Sequence, residues 1–128
     1  MLRVLGGIVV GVVVWFVVIS VLDYGLKSGW HDYAVVEKAL TFTLPMMAAR
    51  LSESAVSSLI SGYLAALVER RWAPLIAGIV LLGIFAPEHY MLLHKFPLWY
   101  HLTFLISLPL LSFIGGRLRG GATHAAAA

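Results

Sequence analysis

Four long apolar stretches separated by short polar ones set the pattern of this chain. Residues 4–22, VLGGIVVGVVVWFVVISVL, carry no charge and approach the roughly 20 residues needed to cross a hydrocarbon core of ~30 Å. This is span one. Residues 45–68 make span two, with Thr43 placed to cap it and Pro45 in its first turn, where a missing N–H breaks no helical bond. Span three covers 72–93 and span four 98–114, with Pro87 and Pro109 as expected kinks. Spans two and three are joined by Glu69, Arg70 and Arg71 alone, too few residues for anything but antiparallel neighbours.

The polar connections differ in character. Residues 23–32, DYGLKSGWHD, hold two glycines, mixed charge and the amphipathic rings of Tyr24 and Trp30, and read as a loop at headgroup level. Residues 33–42 set apolar positions against Glu37 and Lys38 and predict a short helix lying in the interface; a kinked extension of span two is the competing reading. The chain closes on a Gly/Ala tail, 120–128, expected to be disordered. The fold expected is therefore an all-α membrane protein: one domain over 1–119, four antiparallel transmembrane helices, and a short external interfacial helix between spans one and two.

Small residues mark two helix faces. Ser54, Ser58, Gly62 and Ala66 recur every fourth position and line one side of span two, which lets helix backbones approach closely where apolar side chains gain little from one another in lipid. Gly7 and Gly11 form a GxxxG in span one, a pattern that valine- and glycine-rich spans also produce by chance. Span one also has the look of a signal peptide. It exceeds the usual ~7–15-residue apolar region of one, and Ser20-Val21-Leu22-Asp23 is a poor cleavage site, so it reads as an uncleaved anchor.

Composition agrees with the bilayer reading: 61% of the 128 residues are hydrophobic and 12% charged, against roughly half and a quarter in soluble domains. The net charge of +3 could suggest nucleic acid, but Arg3, Arg70, Arg71, Arg117 and Arg119 all fall just outside apolar segments. That is the positive-inside pattern, so the arginine-rich side, including both termini, is expected to be cytoplasmic and no nucleic-acid partner is expected. The absence of cysteine excludes disulfides, thiolate metal sites and cysteine nucleophiles.

With that topology the ionisable residues gather in the external half. Glu53 lies about two turns inside span two, where a carboxylate is costly and usually partnered; Arg50, three residues earlier on the same face, is the expected ion-pair partner. The pair either anchors the helix, with Arg50 reaching outward, or supplies a proton or cation site. Glu88, His89, His94 and His101 form a second cluster, of nitrogen and oxygen donors suited to Zn, Cu, Fe or Ni. His89 and His94 are five apart, a poor spacing for one ion on one straight helix. His89 and His101 on facing helices could also ligate a haem axially. Phe96, Trp99, Tyr100 and Phe104 read as an interfacial aromatic belt. The serines of span two read as helix packing rather than a polar path. Without a nucleophile elbow, a phosphate loop or a zinc-protease helix, no enzyme is expected.

Residues 50–117, most closely in APEHYMLLHKFPLWYHL, resemble a group of small uncharacterised bacterial membrane proteins with four predicted helices. The resemblance implies the four-helix topology and a bacterial inner-membrane location, and transfers neither activity nor functional residues. The leading expectation is a non-enzymatic structural or accessory component, without cofactor, that binds lipid, a membrane-protein partner or a second copy through the small-residue faces of spans one and two. The alternative is a small transporter or proton-linked carrier using Glu53 with His89 or His101, and the third a haem- or metal-binding redox subunit. A carrier requires a cavity reaching Glu53; an accessory subunit requires an exposed small-residue groove.

Overall fold

The computed structural model describes residues 2–36, 43–94 and 96–127. Its regular elements are all helices, in the order α1 (Leu2–Gly29), α2 (His31–Val36), α3 (Leu44–Val68), α4 (Ala73–Met91) and α5 (Leu98–Ala127), with no strand among the described residues. Four helices are long and apolar enough to cross a membrane: α1, α3, α4, and α5 as far as Arg119.

Several boundaries depart from expectation. The segment 23–32 is not a loop, since α1 continues unbroken to Gly29. It contains no proline, and Asp23 and Lys27, one turn apart, form an ion pair of 2.8 Å along the helix. Of the expected interfacial helix at 33–42, α2 covers the start, and 37–42 lie outside the described residues. At the other end α5 runs as helix to Ala127, through most of the segment read as a disordered tail.

Local chemistry fixes the turn between α3 and α4. Thr43 is extended at the N-cap of α3, although its side chain makes no capping bond, and a proline occupies the first turn of both α3 and α4. The Glu69 carboxylate accepts from the backbone N–H of Arg71, Trp72 and Ala73 at 2.9, 2.7 and 2.7 Å, satisfying donors that the start of α4 would otherwise leave unpaired. Desolvation works against the carboxylate's charge, but these three N–H groups outweigh it and hold Glu69 below the usual carboxylate range.

Small residues bring the four long helices together. A β-carbon on Gly62 would collide with the Ser112 carbonyl, and one on Gly115 with the Leu59 carbonyl, so α3 and α5 touch backbone to backbone. On Gly78 it would come within 2.5 Å of Pro109 Cα, and on Gly116 within 2.5 Å of the Pro74 ring. Gly7 meets Ala73 and Ala65, and Gly11 meets Ala77, Ala65 and Ser61. Ser61 donates to the Gly11 carbonyl at 2.6 Å, and Trp15 Nε1–H donates to Ser58 Oγ at 3.1 Å. Ser54, Ser58, Gly62 and Ala66 are likewise buried. The faces through which a partner or second copy was expected to bind are therefore occupied within the chain.

Candidate functional site

Next to these contacts α1, α4 and α5 share a buried core of Trp15, Leu81, Phe104 and Leu108. Trp15 is 2% exposed, and its indole N–H is given to Ser58. Above it lies a half-open cavity of about 240 Å3 bounded by α1, α3, α4 and α5. Trp15, Phe16, Phe85 and Phe104 form its aromatic side, and Ser20, Asp23, Arg50 and Glu53 its polar side. The rings pack in sequence, Trp15 with Phe16 at 5.3 Å, Trp15 with Phe85 at 5.0 Å and Phe85 with Phe104 at 5.6 Å between centroids.

Arg50 organises the polar side. It does not reach outward to solvent as the anchor reading expected. Its Nε–H donates to Tyr100 Oη and its NH1 to Tyr33 Oη, both at 3.0 Å, so one side chain of α3 ties down α5 and α2. Tyr33 in turn makes a long hydrogen bond, 3.4 Å, to the Asp23 carboxylate of α1. Tyr33 is wholly buried. Burial raises its phenol to about 12, with the Arg50 guanidinium opposing the shift, so the hydroxyl stays neutral and able both to accept and to donate. Glu53 shares the cavity with Arg50, and its backbone carbonyl accepts from Ser57 at 2.7 Å.

The second cluster assembles only in part. His89 and His101 meet, Nδ1 to Nδ1 at 2.7 Å, while Glu88 and His94 are exposed. His101 Nε2 lies 3.2 Å from the Leu92 carbonyl. A carbonyl only accepts, so His101 Nε2 carries the hydrogen, its Nδ1 is the acceptor, and His89 Nδ1–H donates to it. Two imidazole nitrogens on one tetrahedral zinc would stand ~3.3 Å apart at bond lengths of ~2.0–2.1 Å, further than these. Nor does a proton shared at this distance leave room for a haem plane between the rings, so the structure does not fit bis-histidine ligation by this pair. No group of three or more His, Asp or Glu side chains among the described residues is placed to hold a metal ion.

The aromatic belt is corrected as well. Phe96, Tyr100 and Phe104 are buried and Trp99 alone of the four is exposed. Phe104 packs against His89 at 4.5 Å and also lines the cavity, so the histidine pair stands one layer behind the cavity wall. Asp23, Tyr33 and Trp15 escaped the sequence reading. Two signals were available: an aspartate one turn before a lysine marks helix rather than loop, and a tryptophan in mid-span, far from the interface, needs a partner for its N–H.

Comparison with known protein families, with curated proteins and with solved structures finds no match for this chain. The class is therefore defined by fold and site alone: an all-helical protein with four helices fit to cross a membrane and a half-open cavity, aromatic on one side and charged on the other, at one end.

Proposed function

We propose that this chain is a small membrane carrier, proton-linked through Glu53, that binds a small solute among its helices and catalyses no covalent chemistry. The observation that carries this reading is the cavity reaching Glu53. The accessory-subunit reading loses its basis, because the small-residue faces it relied on are buried between helices.

The proposal includes a topology. Contacts pair Gly7 of α1 with Ala65 of α3, Gly11 with Ser61, and Trp15 with Ser58, so rising numbers on one helix meet falling numbers on the next. This order supports four antiparallel spans. Positive-inside bias then puts Arg3, Arg70, Arg71, Arg117 and Arg119, with both termini, in the cytoplasm. The cavity and α2 fall on the external side, in a bacterial inner membrane, with lipid as the surrounding partner. Glu53 is the proton acceptor; the His89–His101 pair, behind Phe104, completes the site by fixing Tyr100 and Phe104 rather than by lining it.

A chain without cysteine allows a clean test. Single cysteines at Ser20, in the cavity, and at Val9, on an exposed apolar face, would be challenged in proteoliposomes with a membrane-impermeant thiol reagent. The expected result is labelling at Ser20→Cys and none at Val9→Cys. In parallel, an infrared carboxyl band that appears on acidification and is missing from Glu53→Gln would identify the proton site. An unreactive Ser20→Cys beside a reactive Ser28→Cys would overturn the carrier reading.

A further inference from the structure

We infer that the arginine-bearing end of the bundle binds the headgroups of anionic phospholipids, with Arg71 and Arg117 as the residues that hold the phosphate. The inference does not rest on the carrier reading. It assigns specific lipid contact to this end rather than to the small-residue faces, which are buried between helices.

The first observation is that the fold gathers the arginines. A β-carbon on Gly7 would meet Ala73 and stand 3.6 Å from Glu69 Cβ, and one on Gly116 would reach the Pro74 ring. The start of α1, the turn between α3 and α4 and the later part of α5 therefore lie at one level. Arg3, Arg70, Arg71 and Arg117 are carried on these segments, and all four are exposed. The acid among them, Glu69, is drawn onto the backbone N–H groups of Arg71, Trp72 and Ala73. Even with Glu69 counted at full charge, the four arginines leave this end positive. The opposite end mixes its signs, with Lys27 paired to Asp23 and Arg50 beside Glu53 in one cavity. Attraction to an anionic surface is thus one-sided.

The second is how two of the arginines are held. The Arg71 guanidinium stands 5.4 Å from the centroid of the Trp72 ring, and that of Arg117 stands 5.8 Å from the centroid of Phe113. A guanidinium over a ring has its flat face supported there, and its fork of N–H donors matches the two oxygens of a phosphate.

The third is the border of the patch. Leu67, Trp72, Phe113 and Leu118 are all exposed. Apolar and amphipathic side chains beside the guanidiniums suit a ligand whose phosphate continues into acyl chains; a soluble phosphate would leave them uncovered. This selects a phospholipid over a free anion.

The test uses the full chain in mild detergent, incubated with equal amounts of phosphatidylglycerol and phosphatidylcholine of matched chains, with bound lipid counted by native mass spectrometry. One basic residue beside an anionic surface is worth about fivefold, so phosphatidylglycerol adducts should exceed phosphatidylcholine adducts by about tenfold or more. Arg71→Gln and Arg117→Gln should each lower that ratio several-fold, and the double variant should bring it close to one. Arg71→Lys, which keeps the charge without the flat fork, should fall between wild type and Arg71→Gln. Lys27→Gln removes one positive charge from the other end and should leave the ratio unchanged. A wild-type ratio near one, or equal losses in Lys27→Gln and Arg71→Gln, would overturn the inference. Displacement of phosphatidylglycerol by soluble glycerol phosphate at the same concentration would also overturn it, since the surface would then take phosphate and not lipid. Failure here is distinguishable from failure of the carrier reading: a labelled Ser20→Cys without lipid preference keeps the cavity and removes this surface, and the converse removes only the carrier.

Discussion

Toward Arg70 the backbones of α3 and α5 approach so closely that neither Gly62 nor Gly115 has space for a β-carbon; toward Arg50 the same two helices are joined by a guanidinium reaching a tyrosine hydroxyl. The first contact is made of atoms that cannot move without shifting a helix. The second is made of long side chains that can release and re-form. Lipid supplies little hydrophobic force between helices, so close backbone packing and interhelical hydrogen bonds carry the association; the packed half has both, with Ser61 bonded to the Gly11 carbonyl, whereas the other end is tied through the long side chain of Arg50. The rigid half sets the positions of the helices, and the polar half keeps a cavity open above Trp15.

Three substitutions, with Gly83→Leu as a control for the first, probe the two halves from the largest effect to the smallest. Gly62→Leu should be the most damaging, at or above the ~1–3 kcal/mol typical of overpacking, because the obstacle is the Ser112 backbone and not a yielding side chain. Size-exclusion chromatography after mild heating in detergent should show loss of the monodisperse species. Gly83→Leu, with nothing within 4 Å, should behave as wild type; equal damage from both would remove the distinction between packed and lipid-facing glycines.

Tyr100→Phe removes one acceptor from Arg50. Hydrogen bonds to charged groups are worth ~1.5–3 kcal/mol, and the loss should stay local. Hydrogen exchange should speed up in the first turns of α5 and the early turns of α3 while the region around Gly62 and Gly115 keeps its protection. Uniformly faster exchange would mean that the two ends are one cooperative unit.

The smallest effect belongs to Glu69. Its folded-state pKa lies below the unfolded value, so its contribution is present above the ordinary carboxylate range near ~4.3 and is lost as pH falls through the folded value. Wild type should melt slightly above Glu69→Gln at pH 7, and the gap should close as the pH is lowered past that range. A gap that stays constant to low pH would mean that the three N–H bonds do not depend on the charge.

Legibility in the sequence varied with the range of the interaction. The α3 helix was readable almost to its ends because proline, apolar length and the Glu-Arg-Arg turn are local signals. The small residues of α3 were readable as a packing face, since a four-residue period is a property of one helix. Their partners were not. Nothing local distinguishes Gly78, Gly115 and Gly116, each of which meets a neighbouring helix, from Gly83, which meets nothing. Asp23 was misplaced because a glycine-containing polar run resembles a loop until its one-turn ion pair is weighed. Tyr100 resembled an interfacial residue because both a belt tyrosine and a buried one stand near a span's end.

By itself the sequence determined four apolar helices long enough for a bilayer, their order, the arginine-rich and acid-bearing ends, and the placing of Arg50 and Glu53 three residues apart on one helix. These follow from hydropathy, helix period and the cost of a charge in hydrocarbon, all of which act along a single segment. Tertiary structure alone decided that Arg50 is shared between Tyr33 and Tyr100, that His89 faces His101 with no third ligand among the described residues, and that a cavity survives between Trp15 and Asp23. Those outcomes depend on how far apart two helices stand. That distance is set by glycines and serines meeting across the bundle, and no segment carries it alone.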